Sequence, residues 1–273
     1  MFHQRIMIPT SQGAEIALDA YVPVQPADTD TTPRPAIVIC PGGGYRHLSQ
    51  REAEPIALRF LMEGFNTFIV WYRIAPNRFP LPQQDAAAAM AYVRAHAQEF
   101  LTDPNRIAIA GFSAGGHLAG SIGTLWHRAE MWQEMGLKPE NVKPNAMLLS
   151  YAVITAGEHA HRGSFNQLTG TEDVSVHQDY SVDGWVTENC PPAFLWHTFE
   201  DASVPVQNSL IMAEALARHG VLCELHLFPH GAHGASLCNR VSANASQPAH
   251  LLPEAQCWPQ MAARFLLDVM KGE

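Results

Sequence analysis

The feature that most constrains the fold of this 273-residue sequence is a G-F-S-A-G pentapeptide at residues 111–115, a G-x-S-x-G box. An apolar run ends at Ala110, immediately before it, and a stretch with helical spacing follows from Ala114 to Trp126. This order predicts a strand, a tight turn and a helix, with the hydroxyl of Ser113 projecting from the turn. The flanking glycines lack the Cβ atoms that would clash in a strained turn. Because small residues are common, an idle serine in a glycine-rich turn is the alternative reading.

Apolar runs and helical stretches alternate on both sides of the box. The predicted strands are Ile6–Ile8, Ala14–Val22, Ala36–Cys40, Asn66–Tyr72, Arg106–Ala110, Ala146–Val153, Ala193–Phe199 and Val221–Phe228. The predicted helices are Ala53–Glu63, Gln83–Phe100, Ala114–Trp126, Pro205–His219 and Pro259–Lys271. Such alternation is typical of a mostly parallel sheet of about eight strands with helices on both faces.

The chain contains no repeat and no linker that would divide it, so residues 1–273 are predicted to form one α/β domain. Pro23 to Pro35 is polar and rich in proline, threonine and aspartate, which predicts a surface loop. Thr155 to Pro192 is polar, glycine-containing and without a clear period. Long irregular segments inside a domain are usually functional, so residues 155–192 are predicted to be a short cap or lid insert.

Charge indicates which kinds of binding partner the protein has, and cysteine content indicates its cellular compartment. The net charge of −9 disfavours nucleic acid and anionic membranes and favours a small neutral substrate. The five cysteines form no C-x-x-C pair and their number is odd, which indicates free thiols in a reducing compartment. The first residues lack the features of a signal peptide, and no apolar run approaches the ~20 residues that span a bilayer. The sequence thus predicts a cytoplasmic protein, with a homodimer as one option for its assembly.

A nucleophilic serine needs a base, and the base needs an orienting acid. Asp201 follows the predicted strand Ala193–Phe199, and His233 follows the predicted strand that ends at Phe228. Carboxyl ends of parallel strands meet at one edge of a sheet, which is the edge that also carries Ser113. The sequence predicts Ser113 as nucleophile, His233 as base and Asp201 as acid, with no metal or cofactor.

Other residues compete for these roles. Glu200 is adjacent to Asp201, but neighbours at a strand end point to opposite sides. His230 is the rival base, and His233 is favoured because Gly231 and Gly234 let its loop fold inward. Three further acids lie in the insert without a strand to fix them: Asp173, Asp179 and Asp183. A helix-start aspartate and a solvated loop histidine are the structural alternatives for Asp201 and His233.

A glycine run supplies candidate donors for an oxyanion. The sequence P-G-G-G-Y at residues 41–45 follows the predicted strand Ala36–Cys40. Glycines let backbone N–H groups approach a developing negative charge, and one such donor is worth ~3 kcal/mol in the transition state. We assign this role to the N–H groups of Gly43, Gly44 and Ala114. The run lacks the G-K-[ST] ending of a phosphate-binding loop.

Together these motifs resemble the α/β-hydrolase superfamily. The matching pieces are Cys40–Tyr45, Tyr72–Pro76, Gln84–Ala86, Gly111–Leu118, the Asp201 turn and the His233 loop. More narrowly, the chain is similar to bacterial esterases related to the hormone-sensitive-lipase group and to acetyl-xylan and feruloyl esterases. That lipase-like group usually carries histidine where this sequence has Pro41, and it has a long N-terminal helical cap where this sequence has strands. The resemblance implies a small acyl group rather than a long-chain lipid.

The resemblance implies hydrolysis of short acyl esters, with deacetylation of a sugar or xylan-type substrate as the hypothesis. Four side chains are candidates for the substrate pocket: Tyr45, His117, Trp185 and Trp258. The two tryptophans would stack on a sugar, although packing residues are an equally good reading of them. Amide hydrolysis of the kynurenine formamidase type remains an alternative, because those enzymes have a similar S-A-G-x-H-L segment. A non-catalytic binding protein on the same scaffold is the third hypothesis.

Overall fold

The computed structural model describes residues 2–24 and 31–271, and within them one sheet of eight strands organises the chain. The strands are β1 (Phe2–Pro9), β2 (Glu15–Val22), β3 (Arg34–Cys40), β4 (Asn66–Trp71), β5 (Thr102–Phe112), β6 (Ala146–Ser150), β7 (Ala193–Thr198) and β8 (Cys223–Phe228). Their order is β1-β2-β4-β3-β5-β6-β7-β8. The β1–β2 and β2–β4 pairs are antiparallel and the other pairs are parallel, which confirms the predicted α/β class.

Helices cover both faces of the sheet because its central strands are apolar on both sides. The helices are α1 (Glu54–Met62), α2 (Leu81–Ala95), α3 (Ala114–Leu125), α4 (Pro139–Val142), α5 (Arg162–Thr169), α6 (Val174–His177), α7 (Gln207–Arg218) and α8 (Trp258–Val269). In β3, Val38 faces the core shared with α2, α3 and α7, whereas Ile37 and Ile39 face the core shared with α1 and α8. Parallel strands buried on both faces need such continuous apolar runs.

Element boundaries differ from the predictions where the backbone turns. The predicted strand Ala146–Val153 ends at Ser150, because Tyr151 adopts a φ of 35° and redirects the chain. The predicted helix Gln83–Phe100 begins earlier, at Leu81, and ends at Ala95. The strand before Ser113 starts at Thr102 rather than Arg106. Each shift leaves the order of strands and helices unchanged, so the edge that carries the site is as predicted.

The predicted insert 155–192 contains α5 and α6, followed by two short 3₁₀ turns, Gln178–Tyr180 and Val182–Trp185. Its Val182 is fully buried, and a Cβ added to Gly120 of α3 would lie 3.0 Å from the Val182 side chain. Asn208 of α7 accepts the N–H groups of Ile154 and Thr155 at 2.9 and 3.1 Å, which fastens the start of the insert. The predicted surface loop Pro23–Pro35 lies mostly outside the described residues.

Membrane insertion through a helix finds no support in the part of the chain that is described. None of the helices in residues 2–24 and 31–271 combines the length and apolarity that a bilayer crossing requires.

Candidate active site

Ser113 occupies a strained turn between β5 and α3. Its φ of 56° and ψ of −121° lie in a region that side-chain-bearing residues seldom adopt. A Cβ on Gly111 would come within 2.0 Å of the Gly115 carbonyl oxygen, and one on Gly115 within 2.1 Å of the Cys40 carbonyl oxygen. The glycines of the box therefore permit an approach that other residues would block, and Ser113 lies at the carboxyl edge of the sheet.

The structure brings His233 and Asp201 to this serine. His233 Nε2 lies 2.7 Å from Ser113 Oγ, and His233 Nδ1 lies 2.6 Å from Asp201 Oδ2. The two side chains come from the loops after β8 and β7, which end at the same edge of the sheet as β5. With Nδ1–H donating to the carboxylate, Nε2 is the acceptor that faces the serine hydroxyl. The geometry is that of a proton relay.

The carboxyl group of Asp201 is buried and fully partnered. Its Oδ1 accepts the N–H groups of Ser203 and Val204 at 3.0 and 2.9 Å. Its Oδ2 lies 3.3 Å from Nε2 of His197, a second and fully buried histidine. Burial by itself would raise the pKa of Asp201, but the hydrogen bonds from His197, His233 and Val204 outweigh it and the pKa is lowered. Asp201 is therefore a carboxylate that can stabilise an imidazolium.

The glycine run after β3 lies against the same serine. A Cβ on Gly42 would lie 3.0 Å from Ser113 Cβ, and the Gly42 N–H donates to Glu52 Oε2 at 2.9 Å. Gly43 and Gly44 have φ values of 127° and 65°, and their N–H groups donate to no acceptor among residues 2–24 and 31–271. Ala114 is the first residue of α3, so its N–H has no partner within the helix. These donors are free to bind an anion beside Ser113.

A cavity of about 320 Å³ opens over these groups. It is lined by Gly43, Gly44, Arg46, His47, Ser49, Arg51, Glu52, Ser113, His161, Ser203, His233 and Gly234. Every one of these residues is a glycine or carries a polar or charged side chain. The insert contributes His161, so it borders the cavity.

Comparison with protein-family models assigns the chain to a family. A family model, BD-FAE, matches residues 18–216, which is well over half of the sequence. This chain belongs to the BD-FAE family. The matched range includes Ser113, the glycine run and Asp201, whereas His233 lies beyond it.

Relatives of this BD-FAE chain carry esterase and hydrolase names. It is 33% identical over 206 residues to an acetylxylan esterase of Xylanibacter ruminicola, and the alignment covers 73% of this chain and 40% of that protein. The chain spans between about a third and a half of the length of the curated xylanase and esterase relatives it matches. An acetyl ester-xyloside bifunctional hydrolase from Caldicellulosiruptor lactoaceticus is 35% identical, with a TM-score of 0.79 over 94% of this chain and 89% of the other. The carboxylesterase Cest-2923 from Lactobacillus plantarum WCFS1 is 31% identical, with a TM-score of 0.88 over 100% of both chains. These matches confirm the α/β-hydrolase fold.

The rival acids and base of this BD-FAE chain lie away from the relay. His230 and Glu200 are exposed and pair with each other at 3.0 Å. Asp173 caps the start of α6, and Asp183 accepts the hydroxyl of Ser181. Asp179 lies in the 3₁₀ turn that follows α6. None of these groups contacts His233.

The four predicted pocket side chains do not line the cavity over Ser113. Trp258 is fully buried in the core between the sheet and helices α1 and α8, where it stacks on Trp196 and donates to the Ser236 carbonyl oxygen. Tyr45 and His117 are buried and bonded to each other, with the tyrosine oxygen 2.9 Å from His117 Nδ1. Trp185 is half-buried against Phe79 and His117. All four side chains pack against other aromatic rings, and none of them lines the cavity.

His117 gives a testable pH dependence. Burial lowers its pKa to about 4, although Nε2 lies 2.8 Å from the Tyr180 carbonyl oxygen. Below pH ~6.5 the unfolded chain binds a proton that the folded chain does not bind until pH falls to about 4, so the unfolding free energy falls in this window. We expect the stability advantage of the native protein over a His117→Gln variant to shrink by about 2–3 kcal/mol between pH 7.5 and 4.5 in urea titrations. An advantage that does not change with pH would contradict this.

Sequence reasoning missed several side chains at the site. Glu52 and Tyr151 are buried and bonded to each other at 2.8 Å, close to the glycine run and the His233 ring. His250 Nε2 donates to the His233 carbonyl oxygen at 2.9 Å, and Arg51 donates to the Gly234 carbonyl oxygen at 2.9 Å. The one available signal for Glu52 was a glutamate eight residues beyond the last glycine of the run. It is indistinguishable in sequence from an acid on the surface of a turn.

Proposed function

We propose that this BD-FAE chain is a serine carboxylesterase. Ser113 is the nucleophile, His233 is the general base, and Asp201 holds the imidazole in the required tautomer. The short distances from His233 to Ser113 Oγ and to Asp201 Oδ2 support these roles. The names of the related esterases support an ester as the substrate.

The reaction proceeds in two acyl transfers. His233 Nε2 takes the Ser113 proton as the oxygen attacks the ester carbonyl, and the N–H groups of Gly43, Gly44 and Ala114 bind the oxyanion. The alcohol leaves with the proton from His233, so the acyl group stays on Ser113. Water then attacks the acyl-serine, His233 accepts its proton, and the carboxylic acid departs as the serine hydroxyl re-forms.

The observation that carries the substrate class is the polar lining of the cavity. A long acyl chain is bound by burying it against apolar side chains, at about 0.8 kcal/mol per methylene. The cavity over Ser113 is lined by glycines and polar or charged residues and contains no aliphatic side chain of the residues that the structure describes, so it offers a longer chain little apolar surface. A short acyl group, with acetyl as the best fit, is the proposed acyl part.

Acyl length therefore provides the first test. We expect kcat/KM for p-nitrophenyl acetate to exceed that for the octanoate ester by at least about tenfold, since added methylenes find little apolar surface in a cavity of only about 320 Å³. The measurement is initial rates for the acetate, butyrate, hexanoate and octanoate esters. A value of kcat/KM that rises with chain length would contradict the proposal.

A second cavity supports a polar leaving group. It has a volume of about 530 Å³ and adjoins the first at Arg46, which lines both. Asn166 and Gln167 of α5 also line it, and their side-chain amides form no hydrogen bond within the described part of the chain. Amides that both donate and accept suit the hydroxyl groups of a saccharide. We therefore infer that the alcohol is a sugar, as in the substrate named for the related acetylxylan esterase.

Variants of these amides test the sugar assignment. Asn166→Ala and Gln167→Ala should each raise KM for an acetylated xylo-oligosaccharide by about three- to tenfold, the loss of roughly one hydrogen bond. Both should leave p-nitrophenyl acetate hydrolysis unchanged. Gln98→Ala is the matched control, because this exposed amide lies near the amino end of β4, at the opposite edge of the sheet. No release of acetate from the oligosaccharide by the native protein would refute the sugar assignment while leaving the esterase proposal standing.

A further inference from the structure

Glu52 is a buried carboxyl group that the reaction as written does not use. The residue is 3% exposed and lies in the 3₁₀ turn Gln50–Glu52 between the glycine run and α1. Its Oε2 accepts the N–H of Gly42 at 2.9 Å, and its Oε1 accepts the hydroxyl of Tyr151 at 2.8 Å. The two carboxyl oxygens thus bind two different segments of the chain. Gly42 lies beside Ser113, and Tyr151 lies beside His233.

The Gly42 contact acts on the proposed oxyanion donors. Gly42 immediately precedes Gly43 and Gly44, and a Cβ on Gly42 would lie 2.7 Å from Glu52 Oε2 and 3.0 Å from Ser113 Cβ. The hydrogen bond therefore fixes the peptide that leads into these donors, next to the nucleophile. Because an oxyanion donor must lie within about 3 Å of the developing charge, the position of this peptide matters for the transition state.

The Tyr151 contact acts on the proposed base. The hydroxyl of Tyr151 donates to Glu52 and accepts the N–H of Ser236, three residues after His233, at 3.1 Å. The rings of Tyr151 and His233 meet edge to face, with centroids 5.2 Å apart. Burial, with the charge of Glu52 as a smaller cause, raises the pKa of Tyr151 well above its usual value, so the hydroxyl keeps its proton.

We propose that Glu52 is a positioning residue that sets the oxyanion donors and the imidazole of His233 relative to each other. It acts through Gly42 on one side and through Tyr151 on the other. The neighbouring Arg51 reinforces the same link, since its carbonyl oxygen accepts the Ser236 hydroxyl at 2.7 Å. The inference rests on the proposed esterase function, because both linked segments matter only to a reaction at Ser113. A displacement of about 1 Å in such a site can lower the rate about 100-fold.

Two conservative variants interrupt this path. Glu52→Gln keeps one oxygen to accept the Gly42 N–H but turns an NH₂ donor toward the hydroxyl of Tyr151. Tyr151→Phe removes that hydroxyl and leaves the ring against His233. We expect each to lower kcat for p-nitrophenyl acetate by about 10- to 100-fold with KM changed by less than about twofold. The double variant should be no more than about threefold slower than the slower single variant, because both changes break one path.

Two matched controls separate positioning from stability. Tyr21→Phe removes another buried tyrosine hydroxyl that donates to a glutamate, Glu54, at 3.3 Å. Asp85→Asn removes another buried carboxylate, which pairs with Arg73 at 2.7 Å. Both lie away from the cavity over Ser113, so we expect them to lower the melting temperature while kcat stays within about twofold of the native value.

The outcomes distinguish the inference from the proposed function. The inference would be overturned if Glu52→Gln and Tyr151→Phe kept the native kcat and only their melting temperatures fell. It would also be overturned if the kcat of the double variant fell by the product of the two single-variant losses. If Glu52→Gln does not fold, the kcat of Tyr151→Phe decides. If the native protein reacts with a fluorophosphonate but cleaves no tested ester, the labelling rates of the same variants give the comparison. A native protein that does neither would refute the esterase function itself, and the inference with it.

Discussion

Replacing Ser113 with alanine should lower kcat for p-nitrophenyl acetate by about 10⁶-fold, which is the loss typical of removing the nucleophile from a serine triad. The variant keeps His233 and the oxyanion donors but has no hydroxyl to form the acyl intermediate. A fluorophosphonate should therefore label the native protein and leave Ser113→Ala unlabelled, as measured by intact mass. Initial rates on the acetate ester give the size of the effect.

The fold should survive this change, and the strained turn supplies its control. Alanine at position 113 must keep the φ of 56°, whereas glycine adopts it freely. Ser113→Gly should thus be at least as stable as Ser113→Ala, although glycine inside an ordinary helix is less stable than alanine by about 1 kcal/mol. Both variants should be inactive. Labelling that persists in Ser113→Ala would mean that another residue is the nucleophile and would refute the proposed mechanism.

Replacing Asp201 with asparagine should lower kcat by about 10⁴-fold. The asparagine oxygen can still accept the N–H groups of Ser203 and Val204, which leaves its NH₂ group facing His233 Nδ1. The imidazole must then accept at Nδ1 and carry its proton on Nε2, where it can no longer receive the Ser113 proton. Steady-state rates of the folded variant measure this effect, with circular dichroism as the check on folding.

Glu200→Gln is the matched control for Asp201→Asn. It makes the same chemical change at the adjacent position, on an exposed side chain whose partner is His230. We expect kcat within about twofold of the native value, because surface ion pairs contribute little. A loss of less than about tenfold in Asp201→Asn would point to a different acid, and a comparable loss in Glu200→Gln would identify it.

The sequence was sufficient to predict the elements that local patterns define. The alternation of apolar runs and helical stretches predicted the sheet. The glycines around Ser113 predicted the tight turn, and in the structure a Cβ atom at Gly111 or Gly115 would clash with a backbone oxygen. Asp201 and His233 were predicted from their places after strands, because parallel strands deliver their following loops to one edge. Strand geometry indicated that only one of the adjacent acids, Glu200 and Asp201, would face His233, and in the structure that residue is Asp201.

Long-range packing could not be predicted in this way. Trp258 follows an irregular loop, and no local sequence pattern indicates that it stacks on Trp196 in the core between the sheet and α8. The same limit applies to Glu52 and Tyr151, which are 99 positions apart and meet only once the sheet has formed. A buried polar pair of this kind is specified by the tertiary structure, because the sequence around Glu52 is typical of a surface turn and Tyr151 falls inside a predicted strand.

The strand order has a consequence for how enzymes of this design diversify. The proposed nucleophile, Ser113, directly follows β5. On one side of β5 lies β3, which leads into the glycine run, and on the other lie β6, β7 and β8, which lead to the proposed acid and base. In the proposed mechanism, the glycine N–H groups that bind the oxyanion and the side chains that transfer the proton therefore come from opposite flanks of one central strand. The proposed path from Gly42 through Glu52 to Tyr151 bridges these two flanks, so a substitution that displaces one flank also disturbs the other, and designs of this kind diversify only through matched changes on both.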